Sequence, residues 1–123
     1  MVSLGQGPVK RLHVGPRLSE TAIHNGVVYL AGQIAENEAP TVYEQTREVL
    51  GHVDRLLAEA DSDKTLILSA MVFIKDMAQF NEMNRAWDEW VMPGHTPPRA
   101  TVEARLARET ILVEIKIIAA QYT

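Results

Sequence analysis

The stretch TLILSAMVFIKD, residues 65–76, constrains this chain more than any other. Successive side chains of a strand point to opposite faces. Here both alternating sets are apolar: Leu66, Leu68, Ala70, Val72 and Ile74 on one side, Ile67, Met71 and Phe73 on the other. Such a strand belongs in the middle of a sheet whose two faces are both covered. The run is too short to span a bilayer, which needs about 20 apolar residues. Its cover must therefore come from other segments of the chain or from a second copy.

Two flanking segments have helical periodicity. Val42, Val49, Leu50, Val53, Leu56, Leu57 and Ala60 recur at spacings of three and four, which predicts an amphipathic helix of about five or six turns. Pro40 serves as its start. Gly51 in its middle costs about 1 kcal/mol relative to alanine, so it is expected where the helix packs closely on the sheet. A second helix is predicted within MAQFNEMNRAWDEWV, where Phe80, Met83, Trp87 and Trp90/Val91 share a face, and MPGHTPP ends it.

The remaining segments read as strands. Residues 1–8 form a loose terminus, followed by a short strand at Val9–Val14 that Gly15-Pro16 ends. Asn25-Gly26 between β-prone runs is a hairpin signal, with strands at Glu20–His24 and Val27–Ile34. PPRATVEARLARETILVEIK, residues 97–116, reads as two strands joined by a turn. The order β-β-β-α-β-α-β-β puts two helices on one face of a mixed sheet, an α+β sandwich. The other face must find a partner, so an oligomer is expected. With no repeat or linker, residues 1–123 are expected to form one domain.

Composition narrows the function. Cysteine is absent, which excludes disulfides, thiolate catalysis and cysteine metal sites. MVSLGQGPVKRL lacks the apolar segment of a signal peptide, so a cytoplasmic protein without membrane contact is expected. The net charge is -4 and the basic residues are scattered, unlike a general phosphate-backbone binder. No nucleic-acid partner is expected. His13, His24, His52 and His95 make no HxH or HxxxH pair, so no metal site follows. His24 and His52 read as surface residues, and the Trp87/Trp90 pair as helix core.

One constellation carries possible chemistry. Alternation puts Arg99 and Thr101 on one side of the first tail strand, and Glu114 on the side of the second opposite Val113 and Ile115. Arg99, Thr101 and Glu114 then share a face. That face is either a salt-bridged strand surface or the lining of a pocket. Pro98 fixes extended backbone before Arg99, and Leu112 and Ile118 flank the face with apolar surface. A buried arginine requires an anion.

At these residues the chain resembles the RidA/YjgF family of reactive intermediate deaminases. The likeness runs from about Pro16 to Ala119 through NGVVYLAGQIA, VFIKDMAQFNEMNRAWDEW, PPRATVE and VEIKIIAA, and a YoaB-like branch shares MNxAWDxWV and VEIKI. The resemblance implies a chorismate-mutase-like fold, a homotrimer packed sheet to sheet, and ligand clefts between subunits. It also implies hydrolysis of small enamines and imines to 2-keto acids and ammonia, with no cofactor. Carried over by motif, Arg99 clamps the substrate carboxylate with help from the Thr101 N–H, and Glu114 activates water as general base. Gly32 lets the backbone approach the ligand. Asn84 either borders the cleft or is a helix-surface amide. Arg17 stands where many members have tyrosine, Thr101 replaces a common cysteine and Lys116 a glutamate, and Arg17 with Lys116 favours a more acidic ligand. Two other functions stay open. A trimeric module that binds 2-keto acids without turning them over needs the Arg99 clamp but not Glu114 as a base. The acidic balance and the lack of a paired acid and base weigh against the second, the endoribonuclease activity ascribed to some members.

Overall fold

The computed structural model describes residues 7–123. Residues 1–6, most of the stretch expected to be a loose terminus, lie outside the described residues. The elements run β1 (Lys10–Val14), β2 (Ser19–His24), β3 (Val27–Leu30), β4 (Gln33–Ile34), α1 (Val42–Glu59), β5 (Ile67–Ile74), α2 (Phe80–Trp90), β6 (Arg99–Glu103) and β7 (Val113–Ala120). They form one mixed sheet in the order β1-β2-β3-β7-β5-β6, with β4 also paired to β7. This is the expected α+β sandwich. No helix among the described residues is long and apolar enough to cross a membrane.

The hairpin between β2 and β3 turns at Asn25 and Gly26, both at positive φ (50° and 78°), as the tight twist-matched turn demands. The strand expected over Val27–Ile34 is broken at Ala31-Gly32. The structure also revises the tail. β6 and β7 are not a hairpin: β5 lies between them, parallel to β6 and antiparallel to β7. The strand with two apolar faces lies inside the sheet but one strand from its edge, between β7 and β6, and residues 104–112 cross past its end.

The path from β3 through α1 to β5, and from β5 through α2 to β6, advances in one direction across the sheet. Crossovers between parallel strands are right-handed, so both helices land on the same face. There they bury Val28, Leu30, Val72, Ile74, Val113, Ile115 and Ile117 against Val49, Val53, Leu56, Leu57 and Met83. Each such side chain contributes about 1.5–3 kcal/mol of burial. Helix α1 starts after Thr41 rather than at Pro40. The Thr41 hydroxyl accepts from the Glu44 N–H at 3.1 Å and donates to Glu44 Oε1, a side-chain N-cap. Gly51 does not touch the sheet; it is exposed beside the groove toward α2.

The opposite face stays uncovered within the chain. Tyr29 is 41% exposed, Leu68 50% and Val102 39%, with Met71, Phe73 and Ile118 half-buried among them. The double cover expected for β5 is thus supplied on one side only.

Candidate functional site

Sheet register decides which candidate residues meet. Directly paired residues project to the same face. Ala70 aligns with Arg99 and Ile117, Val72 with Thr101 and Ile115, and Phe73 with Val102 and Glu114. Arg99 and Thr101 therefore point to the helix side, and Glu114 to the open side. The shared face read from the tail does not exist within one chain: β6 turns Arg99 and Thr101 toward the helices and Ala100 and Val102 to the open side, whereas β7 turns its apolar set Val113, Ile115 and Ile117 toward the helices.

On the helix side, Arg99 opens the edge strand β6. Its guanidinium lies 5.0 Å from the Trp87 ring centre and 5.9 Å from that of Phe80. Its Nη1 donates to Met83 Sδ at 3.8 Å. Burial draws the Arg99 pKa down while the field of Asp88 pulls it back. No carboxylate forms an ion pair with it among the described residues. A charge held against aromatic faces keeps its planar fork free for an oxyanion. Thr101 is next on that face, and its buried Oγ1 has no hydrogen-bond partner. The ladder to β5 uses the Pro98 carbonyl and the Ala104 N–H. Alternation then leaves the Thr101 N–H on the free edge. Asn84 is partly buried and sits one turn from both Phe80 and Trp87, on their row of α2.

On the other side, Glu114 pairs with Ile34 across the break between β3 and β4. Gly32 explains the break. A Cβ built there would stand 2.1 Å from Glu114 Oε2, so the carboxylate occupies the space a side chain would fill. Only glycine lets the carboxylate lie against the backbone. Glu114 forms no ion pair or side-chain hydrogen bond with the described residues. The notch around it, ≈ 280 Å³, is lined by Leu18, Glu20, Gly32, Glu36 and His52 among others. Arg17 is exposed beside Leu18 and does not line the notch, and the Lys116 ammonium bonds the Leu30 carbonyl at 3.3 Å. Neither supports an acidic ligand here, where the charged lining is carboxylate.

Sequence reasoning took Phe80, Met83 and Trp87 for core alone, although they also cradle Arg99. It read His52 as surface, yet its side chain is 18% exposed and faces the notch. The pair Glu48/His52, four apart on the helix, was the available signal.

Fold and site together define a class: a small α+β domain with an open apolar sheet face and two unpaired half-sites of opposite charge. The family profile described as Endoribonuclease L-PSP matches residues 9–121. A RutC family protein of Haemophilus ducreyi is 50% identical over 112 residues, 91% of this chain and 96% of that protein. The RutC family protein YoaB of Escherichia coli is 41% identical over 91% of this chain and 97% of its own length. The crystal structure of NMB1025, a YjgF family member from Neisseria meningitidis, superposes with a TM-score of 0.92 at 46% identity, covering 94% of this chain and 97% of that one. The chain belongs to the RidA/YjgF family.

Proposed function

We propose that this single-domain chain forms a cytoplasmic homotrimer that hydrolyses small 2-imino acids to 2-keto acids and ammonia in clefts between subunits. The observation that carries this reading is the separation of two unpartnered charges. Among the described residues, a half-buried Arg99 without an anion and a Glu114 carboxylate without a cation lie on opposite faces of one sheet. They can serve one ligand only if different copies contribute them. Burial of the open sheet face between copies brings such surfaces together.

In this arrangement Arg99 clamps the substrate carboxylate through two parallel charge-assisted hydrogen bonds, and the Thr101 N–H and hydroxyl and the Asn84 amide complete the clamp. Glu114, fixed against Gly32, takes a proton from water as it adds to the imine carbon. An imine carbon is already electrophilic, so positioning and a base provide most of what the reaction needs.

The test follows imines made in situ by an amino-acid oxidase as semicarbazide-trappable material. Wild type is expected to speed their loss, with Arg99→Ala and Glu114→Gln each lowering kcat/KM by about 100-fold or more. A wild type that binds 2-keto acids yet accelerates nothing would replace the deaminase with the carboxylate-binding module.

A further inference from the structure

The Glu114 notch holds a second group suited to proton transfer. His52 reaches into it from α1, and its Nε2 stands 3.1 Å from Glu48 Oε2. Glu48 is itself anchored, accepting the N–H of Glu36 at 2.6 Å and of Asn37 at 3.2 Å, which ties the loop after β4 to the helix. Burial pushes the Glu48 carboxyl up, but these two N–H groups and His52 outweigh it and hold the group below the ordinary carboxylate range. It stays a carboxylate and fixes the ring. The Nδ1 nitrogen takes no hydrogen bond from the described residues. Two carboxylates lie at the ring, Glu48 on its own helix and Glu36 in the loop with Oε1 3.9 Å from Nε2, and Glu20 from β2 and Glu114 from β7 line the same notch. No lysine or arginine lines the notch.

Hydrolysis of an imine needs a base for the attacking water and an acid for the nitrogen, which must leave as neutral ammonia. A lone carboxylate serves only the first need. We propose that His52 is the general acid, an inference that rests on the deaminase reading. Water adds to the imine carbon and gives one proton to Glu114. The C=N π pair moves to nitrogen, which takes a proton from the imidazolium. The carbinolamine nitrogen next receives the proton held by Glu114. Neutral His52 then removes the hydroxyl proton, the C=O bond forms, the C–N bond breaks and ammonia departs. Both groups return to their starting states.

The experiment compares pH profiles of kcat and KM for wild type, His52→Asn and Glu48→Gln, using the imine formed from alanine by a D-amino-acid oxidase. His52→Asn is expected to lower kcat by about 10–100-fold, to leave KM near the wild-type value and to abolish the alkaline limb of the kcat profile. Glu48→Gln, which keeps the ring but removes the carboxylate that orients it, is expected to lower kcat by about 10-fold with KM near the wild-type value. A folded His52→Asn with wild-type kcat and an unchanged limb would overturn the assignment and leave the deaminase standing. Should that variant not fold, a wild-type kcat in Glu48→Gln overturns it equally. Absence of any wild-type acceleration removes the deaminase and this role together.

Discussion

Arg99 shows how a single residue acquires a function from its neighbours. A guanidinium on an edge strand is ordinarily solvated, but here Phe80, Met83 and Trp87 cover it without neutralising it. Arg99→Lys keeps the charge and loses the fork, so it is expected to raise KM for the imine by about 10-fold or more, read in the same trapping assay. Gly32 is the complementary case. Its backbone is not in the left-handed region, so alanine is excluded by space alone, with 2.1 Å to Glu114 Oε2. Gly32→Ala is expected to displace the carboxylate and lower kcat by about 100-fold, while the melting temperature stays within a few degrees. Both residues were legible as a motif; their separation on two faces was not. Strand alternation propagates only within a strand, and the irregular residues 104–112 carry no phase from Arg99 to Glu114.

At the scale of elements, periodicity located both helices and the hairpin, because each depends on local pattern and turn chemistry. That β5 is an interior strand was legible from its two apolar faces, but it lies one strand from the edge rather than at the centre, and the parallel pairing with β6 depends on a partner distant in sequence. Gly51 illustrates a local cost with no local compensation: nothing lies within 4 Å of a Cβ built there. Gly51→Ala is therefore expected to stabilise the protein by up to about 1 kcal/mol, seen as a higher urea midpoint.

Asp63 ties the start of β5 to the end of the chain. It caps the 3-10 turn Lys64–Leu66 and accepts from the Tyr122 hydroxyl. The Thr65 hydroxyl, Tyr122 and the Thr65 N–H together hold its pKa below the ordinary 3.8. A depressed folded value means the stabilisation is full above 3.8 and is lost as pH falls through the lower folded value. Asp63→Ala is expected to cost about 1 kcal/mol at neutral pH, and the difference in urea stability to wild type should shrink in acid.

The whole molecule turns on its uncovered face. Tyr29, Met71, Phe73, Val102 and Ile118 share the open side of the sheet, which no helix of the described residues covers, the kind of apolar surface that marks an interface. Ile118→Asp puts a charge in that surface and, if the proposed trimer and activity hold, is expected to sediment as monomer and to abolish imine hydrolysis. If instead the site lies within one chain, monomer and activity coexist. Chain mixing tests the shared site most directly. Arg99→Ala and Glu114→Gln chains, each inactive alone, are unfolded together in equal amounts and refolded. When neighbouring copies supply the two residues, one site in four receives both intact, so about a quarter of wild-type activity is expected to return. Recovery of none, with wild type refolding to full activity in parallel, would contradict a site shared between copies.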